Sequence, residues 1–174
     1  HPFDFIQEAI DATTDGQTIL VQPGTYLENI TISGKNLHLI GRETSDPNGT
    51  DLPVIQADQK GRIVQINGNS TLSGFALTNG HGQNVLIDCS GGAAAISHCL
   101  IAGNRPAGSS GALIQCTAGN VTLTHCTIAD NYLGECNAGL RVVNGILAMA
   151  NSIFYHNTCT CSDAASGVIC ASAD

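Results

Sequence analysis

The sequence predicts an all-β solenoid, in which short strands stack coil upon coil behind one N-terminal helix. Three observations support this prediction: an internal repeat of about 25 residues, apolar residues that alternate at every second position within short segments, and a turn-rich composition. The chain has 174 residues, 20 glycines and only 11% charged residues. It is therefore long enough for one domain with its own core and is rich in short strands and turns.

The N-terminal segment predicts a short amphipathic helix followed by strands. Its apolar residues at helical spacing are Phe3, Ile6, Ala9 and Ile10. Asp15-Gly16 closes this segment, and TILVQPGTYLENITISG then supplies an apolar run, a Pro-Gly turn and strand-like alternation. We therefore divide a single domain, 1–174, into a capping helix at 1–15, stacked coils at 16–157 and a cysteine-rich tail at 158–174.

The internal repeat aligns four columns of residues. The anchor column is Leu72, Ile96, Leu123 and Met149, at intervals of 24, 27 and 26 residues. Four residues earlier stand Gly68, Gly92, Gly119 and Gly145; five residues later stand Leu77, Ile101, Ile128 and Phe154; eight residues later stand Gly80, Asn104, Asn131 and Asn157. When each strand pairs with its equivalent one coil on, such residues stack in ladders about 4.8 Å apart. We expect apolar ladders inside, glycines at positive φ and an asparagine ladder along one turn.

Several stretches resemble known repeat proteins. IQEAIDATTDGQTILVQPGTYLENITISGKNLHLIG resembles the first coils of pectin-lyase-like right-handed parallel β-helix proteins. GGAAAISHCLIAGN, GNVTLTHCTIADN and GILAMANSIFYHN resemble coils of bacterial secreted β-helix repeat proteins related to polymorphic outer-membrane and surface proteins. The resemblance covers most of the chain and implies a right-handed parallel β-helix and export. It does not specify an activity, because that superfamily includes lyases, hydrolases and adhesins.

Charge excludes nucleic acid as a partner, and hydropathy predicts no membrane-spanning segment. The formal net charge is -8 and no basic cluster is present, so nucleic acid is excluded as a partner. No apolar run approaches the roughly 20 residues that cross a bilayer, so no membrane span is predicted. Eight cysteines and four glycosylation sequons favour a secreted protein, extracellular or at the cell surface. The sequons are at Asn29, Asn48, Asn69 and Asn120.

The sequence predicts no active site of the polysaccharide-cleaving type. The relatives that the resemblance implies use acidic clusters, often with calcium, or paired Asp residues in a groove along the solenoid. Here the outward column eight residues before the anchor is Val64, Asp88, Gln115 and Arg141. We expect that its single Asp cannot serve as acid and base together. Gly80-His81-Gly82 matches a tripeptide of polygalacturonases, but without their Asp pair and basic motif it is interpreted as a turn.

No metal or other cofactor is predicted. His98-Cys99 and His125-Cys126 occupy equivalent positions one coil apart, so they offer four conceivable zinc ligands. Adjacent residues of an extended chain point to opposite faces, however, and the spacing of structural zinc sites is absent.

The cysteines leave two interpretations open. Cys89 and Cys116, like Cys99 and Cys126, recur 27 residues apart. Each pair is either a buried stack of thiols or a cross-coil disulfide, because neighbouring rungs lie about 5 Å apart. The cysteines outside this pattern, which are disulfide candidates for fastening the last coil, are Cys136, Cys159, Cys161 and Cys170. The sequence does not determine the connectivity.

The lack of an acidic cluster and the open C-terminal end favour a structural function. We expect a non-catalytic extracellular protein whose subunits associate with one another in a fibre or surface layer, because an exposed sheet edge invites pairing. One alternative is a carbohydrate-binding or polysaccharide-processing module, and another is a fragment of an adhesin passenger. The residues first expected to act in the carbohydrate alternative are Asp88, Arg141, His81 and Tyr155.

Overall fold

A computed structural model describes residues 3–42, 52–57, 61–134 and 138–159. These ranges contain one helix and seventeen strands. In order they are α1 (Ile6–Ala12), β1 (Thr18–Val21), β2 (Thr25–Tyr26), β3 (Ile30–Ser33), β4 (His38–Gly41), β5 (Val54–Gln56), β6 (Val64–Asn67), β7 (Ser70–Ser73), β8 (Ala76–Thr78), β9 (His81–Ser97), β10 (Leu100–Ala102), β11 (Arg105–Thr124), β12 (Thr127–Ala129), β13 (Tyr132–Gly134), β14 (Ala138–Val143), β15 (Ile146–Ala150), β16 (Ile153–Tyr155) and β17 (Thr158–Cys159).

The strands form three parallel sheets that run along the solenoid axis. The largest has the order β1-β4-β7-β9-β11-β14, with β3, β6 and β15 also paired to it. The second has the order β16-β12-β10-β8-β5-β2, and β13 pairs with β17. The long strands β9 and β11 each pair with two successive strands of a neighbouring coil. The predicted fold class, a right-handed parallel β-helix behind an N-terminal helix, is confirmed.

Both predicted apolar ladders are present in the core. The anchor ladder pairs Leu72 with Ile96, then Leu123, then Met149. The second ladder is Leu77, Ile101, Ile128 and Phe154. All members are buried except those of the last described coil, where Met149 is 38% exposed. The repeat therefore supplies a continuous core because each coil buries its apolar face against the next.

The glycine column is only partly as predicted. Gly68 and Gly92 have φ values of 134° and 81°, whereas Gly119 and Gly145 lie outside the positive-φ region. A Cβ at either of these two would lie 2.5 Å from the carbonyl oxygen of the equivalent glycine one coil earlier. The prediction of positive φ was therefore wrong for Gly119 and Gly145, where close backbone approach excludes a side chain.

A buried asparagine ladder joins the last three described coils. Asn131 Nδ2 donates to the Ile101 carbonyl at 2.9 Å and to Asn157 Oδ1 at 2.8 Å. Asn131 Oδ1 accepts from both the backbone N–H and Nδ2 of Asn104, each at 3.0 Å. Asn104 Oδ1 in turn accepts from the Gly80 backbone N–H at 2.8 Å. Each amide thus satisfies buried backbone groups of a neighbouring coil and fixes the register between coils.

The capping helix is held at both ends by residues of the first coil. Glu28 accepts hydrogen bonds from the backbone N–H groups of Ile6 at 2.8 Å and Gln7 at 2.9 Å. Lys35 Nζ donates to the last turn, including the Ile10 carbonyl at 2.7 Å. An acid at the N-terminus and a cation at the C-terminus both complement the helix dipole. Helix α1 therefore begins at Ile6 with its first N–H groups satisfied by a distant side chain.

Glu28→Ala is expected to lower the free energy of unfolding by about 1–2 kcal/mol, because two helix N–H groups lose their acceptor. Urea denaturation followed by circular dichroism measures the effect. Glu8→Ala is the matched control, since Glu8 is an exposed acid in the first turn of the same helix. Equal losses for the two variants would show that Glu28 does not act as the cap.

Three of the four predicted glycosylation sites lie in the described ranges. Asn29, Asn69 and Asn120 are exposed, as a glycosylation acceptor must be. Asn48 lies outside the described residues. No helix in the described ranges is long and apolar enough to cross a membrane.

Candidate functional site

A ladder of outward-facing polar residues crosses the largest sheet. It consists of Thr31, Gln65, Asp88, Gln115 and Arg141, each in register with the next. We call this ladder the polar strip. With rungs about 4.8 Å apart it is about 20 Å long. A parallel column of Ser33, Asn67, Ser90, Thr117 and Val143 flanks it two residues further along each strand.

The polar strip differs from the predicted column at one residue. The repeat placed Val64 outward beside Asp88, but Val64 pairs with Ile87 and is fully buried, while Gln65 occupies the outward position. Seven residues separate Gln65 from its anchor Leu72, against eight between Asp88 and Ile96. Because side chains alternate along a strand, this one-residue difference exchanges the inward and outward faces.

Asp88 lies at the centre of the polar strip and has one unsatisfied oxygen. Its Oδ2 pairs with Arg62 Nη1 at 3.2 Å, and its side chain is 13% exposed. Its Oδ1 is buried and has no hydrogen-bond partner among the described residues. An unsatisfied buried acceptor costs about 1–3 kcal/mol, which a hydrogen-bond donor that reached this oxygen would relieve.

Amide groups flank Asp88 on both neighbouring rungs. Gln65 Nε2 donates to Asn67 Oδ1 at 3.3 Å, and Gln115 Nε2 donates to Thr117 Oγ1 at 2.9 Å. Both bonds run along the outer surface of the amide's own strand. Since each amide carries two N–H donors, a second donor on each remains for a ligand.

The polar strip contains one carboxylate, and this limits its chemistry. Glycoside hydrolysis uses two carboxyl groups on opposite sides of the scissile bond. Ester hydrolysis needs only one: the same group can take a proton from water and later return it to the leaving oxygen. Amide donors beside it can stabilise the oxyanion that forms in between.

The structure does not bring together the four residues that were expected to act in the carbohydrate alternative. Asp88 and Arg141 both belong to the polar strip, two rungs apart. His81 begins β9 and pairs with Arg105, whereas Tyr155 lies in the six-stranded sheet and is 65% exposed. Neither is a member of the polar strip.

Sequence reasoning missed Arg62 and Gln65. Both precede the regular coils, and Arg62 reaches Asp88 from the segment just before β6 while its Nε donates to the Val85 carbonyl at 3.3 Å. The alternation of Val64, Gln65 and Ile66 was a sufficient signal for Gln65. The sequence carries no comparable signal for Arg62.

In both histidine–cysteine pairs the histidine lies on the outer side of the solenoid wall and the cysteine on the inner side. His98 and His125 are exposed, with ring centroids 4.9 Å apart and planes 9° from parallel, whereas Cys99 and Cys126 are buried. Nitrogen lone pairs lie in the ring plane, so two stacked rings do not direct them at a common ion. In the described ranges no three His, Cys, Asp or Glu side chains are grouped as metal ligands.

The described cysteines are free thiols, and four of the five are buried. They are Cys89, Cys99, Cys116, Cys126 and Cys159. Burial, followed by the charge of Asp88, raises the pKa of Cys89 to about 12. Cys136, Cys161 and Cys170 lie outside the described residues, so a tail disulfide stays a prediction.

Comparison with known proteins finds similarity only among solved structures. No family model and no curated protein matches the chain. A pectin methylesterase crystallised with a hexasaccharide has a TM-score of 0.49 and 16% identity, over 84% of this chain and 62% of that one. The chain thus spans less than two thirds of that protein. Two crystal structures of Aspergillus niger pectin methylesterase, deglycosylated to different extents, have TM-scores of 0.38 and 0.34 and identities of 21% and 17%, over 99% of this chain and 88% of theirs.

These similarities concern the fold alone, because the identities are below 25% and the TM-scores below 0.5. The prediction of a non-catalytic fibre or surface-layer subunit was wrong: all three matching structures are pectin methylesterases, which are enzymes. That prediction rested on the single Asp of the outward column, which was judged by the two carboxyl groups that glycoside hydrolysis uses.

Proposed function

We propose that the chain is a polysaccharide-processing β-helix module that hydrolyses an ester substituent of a polymer bound along the polar strip. The observation that carries the proposal is Asp88, a largely buried carboxylate with an unsatisfied Oδ1. An amide side chain lies one rung away on each side.

The shape of the polar strip suits an extended polymer. A chain lying parallel to the solenoid axis meets a hydrogen-bonding side chain on every rung, at intervals of about 4.8 Å. Hydroxyl groups of sugars are both donors and acceptors, and they match the amides and hydroxyls of the two outward columns. A bound water or hydroxyl can donate to Asp88 Oδ1 and thereby remove its desolvation cost.

The proposed reaction uses Asp88 first as base and then as acid. Its carboxylate accepts a proton from water as the water oxygen attacks the ester carbonyl carbon. The N–H groups of Gln65 and Gln115 stabilise the resulting oxyanion. When the carbon–oxygen bond to the leaving alkoxide breaks, the Asp88 carboxyl returns the proton to that oxygen, which yields an acid and an alcohol.

The arginines favour an acidic polymer. Arg62 already pairs with Asp88 through Nη1 and with the Val85 carbonyl through Nε, whereas Arg141 lies on the polar strip two rungs from Asp88. A guanidinium group there favours a carboxylate as ligand. This local positive charge reduces the repulsion between a polyanion and a chain with a net charge of -8. The favoured substrate class is therefore a partly esterified polyuronide, and we place the module outside the cell, where exposed sequons and such polymers occur together.

A panel of polymers tests the proposal. Methyl-esterified, acetylated and fully de-esterified polyuronides are incubated with the full chain, and released methanol or acetate is measured beside binding by isothermal titration calorimetry. Release from an esterified polymer is the expected result. Binding without release would reduce the module to a carbohydrate-binding function. A chain that shows no binding and no release would refute the proposal.

Gln115→Leu is expected to lower kcat/KM for the esterified substrate by about 100-fold, because an oxyanion donor is typically worth this factor. Gln56→Leu is the matched control, since Gln56 is a partly buried strand residue of the six-stranded sheet. Initial rates of ester release measure both. A change below threefold for Gln115→Leu would remove Gln115 from the site.

A further inference from the structure

We propose that a ladder of outward-facing side chains at the start of β9, β11, β13 and β17 is a second sugar-binding surface, which holds a de-esterified stretch of an acidic polysaccharide without acting on it. The ladder consists of His81, Arg105, Tyr132 and Thr158, and we call it the arginine–tyrosine ladder. The proposal rests on the proposed function for the class of its ligand, and it concerns residues outside the polar strip.

Backbone pairing places the four residues on successive coils. His81 pairs in register with Arg105, and Tyr132 pairs with Thr158. The Tyr132 N–H donates to the carbonyl of Asn104 at 2.9 Å, which sets Tyr132 on the rung next to Arg105. With rungs about 4.8 Å apart, the arginine–tyrosine ladder is about 14 Å long.

The arginine–tyrosine ladder faces away from the core. Asn104 and Asn131, which directly precede Arg105 and Tyr132, are each 1% exposed and belong to the buried asparagine ladder. Since successive side chains of a strand point to opposite faces, the next residue of each coil points outward. Tyr132 is accordingly 39% exposed, and Arg105 and Thr158 are exposed as well.

The Tyr132 ring restricts the Arg105 guanidinium. The guanidinium carbon, Cζ, lies over the ring at 4.7 Å from its centroid, which is a cation–π contact. Such a contact draws on the charge of the guanidinium, whereas a carboxylate is bound by two parallel N–H donors of the same planar group. A carboxylate can therefore bind Arg105 while Tyr132 limits the motion of the side chain, and this lowers the entropy cost of binding.

The charge of Arg105 is available to an anion. No carboxylate within the described ranges forms an ion pair with it. The chain has six basic residues against fourteen acidic ones, so an exposed arginine of this kind is an uncommon point of attraction for an anion on this surface. Its charge complements the carboxylate of a uronate residue.

The neighbours of Arg105 supply the other contacts that a sugar needs. The face of a sugar ring carries C–H groups, and these pack against the electron-rich face of an aromatic ring such as that of Tyr132. His81 and Thr158, at the two ends of the ladder, carry groups that hydrogen-bond sugar hydroxyls. Esterification removes the negative charge of a uronate, so Arg105 favours the free acid, which is the product of the proposed reaction.

Tyrosine fluorescence tests the proposal at the ladder itself. The chain has three tyrosines and no tryptophan, so Tyr132 is the only emitting tyrosine in a full chain that carries Tyr26→Phe and Tyr155→Phe. This protein is titrated with a fully de-esterified galacturonate trimer and, separately, with the fully methyl-esterified trimer. A saturable change in emission is expected for the de-esterified trimer, with a Kd about tenfold lower than that for the esterified one.

Arg105→Gln in the same protein is expected to raise the Kd for the de-esterified trimer about tenfold and to remove the difference between the trimers, because two charge-assisted donors are lost. Arg42→Gln is the matched control, since Arg42 is an exposed arginine directly after β4 and its replacement removes the same charge. Its Kd is expected to stay within about twofold of the parent value, because an exposed charge remote from the ligand is screened. Circular dichroism shows that each variant keeps the fold.

Three results would overturn the proposal. They are an emission that does not saturate with the de-esterified trimer, equal Kd values for the two trimers, and an Arg105→Gln protein with the Kd of the Arg42→Gln protein. The de-esterified trimer contains no ester, so this titration does not depend on hydrolysis. A saturable titration that depends on Arg105, in a chain that releases no ester product, would refute the proposed reaction alone; ester release without such a titration would refute the arginine–tyrosine ladder alone.

Discussion

Asn131→Leu is expected to lower the free energy of unfolding by about 3–5 kcal/mol, the largest stability effect that we predict for a single side chain. Leucine has a similar volume but removes the side-chain partner of the Asn104 backbone N–H and of the Ile101 and Ala129 carbonyls. Asn157 Oδ1 keeps the backbone N–H of residue 131. Each buried group left unsatisfied costs about 1–3 kcal/mol. Relaxation of the turn in the variant recovers part of this lost free energy.

Urea denaturation of the wild type and of the Asn131→Leu variant, followed by circular dichroism, measures this difference. Asn120→Leu is the matched control, because Asn120 is exposed and its loss is expected to change stability by less than about 0.5 kcal/mol. If the two variants lost the same stability, the asparagine ladder would be a by-product of the repeat rather than a source of cohesion between coils.

Asp88→Asn is expected to reduce kcat for ester release by about 1,000-fold or more while changing KM by less than fivefold. Asparagine has almost the same shape and can still accept from Arg62, so binding along the polar strip is preserved. It cannot take a proton from water or return one, and general acid–base catalysis is worth about 100- to 10,000-fold. The loss therefore falls on kcat.

The matched control is Asp130→Asn. Asp130 is an exposed carboxylate whose Oδ1 lies 2.7 Å from Nδ1 of His156, away from the polar strip. Its replacement is expected to leave both kcat and KM within twofold. An Asp88→Asn protein that kept more than a tenth of the wild-type kcat would show that another group performs the proton transfers.

The core could be predicted from sequence because it repeats. Leu72, Ile96 and Leu123 stand at nearly constant intervals, and each is an aliphatic residue that the pairing of coils buries in the same place. The same regularity misled the prediction for Gly119 and Gly145. A position can require glycine because of backbone crowding as well as because of positive φ, and sequence does not distinguish the two causes.

The polar strip was only half predictable. Asp88, Gln115 and Arg141 lie on regular coils and were placed outward correctly. Gln65 lies where the coil is one residue shorter, and a fixed offset from the anchor therefore chose its buried neighbour. The ion pair of Arg62 with Asp88 spans 26 positions through a coil of irregular length, so no repeat register could have predicted it.

The central claim, that the polar strip processes an esterified polyuronide, is tested most directly by a pH-stat trace of the full chain with that polymer. The account predicts steady acid release in proportion to protein concentration and no release when Asp88 is replaced by Asn. A trace that stays at the buffer baseline at every protein concentration, with the esters of the polymer intact, would contradict it.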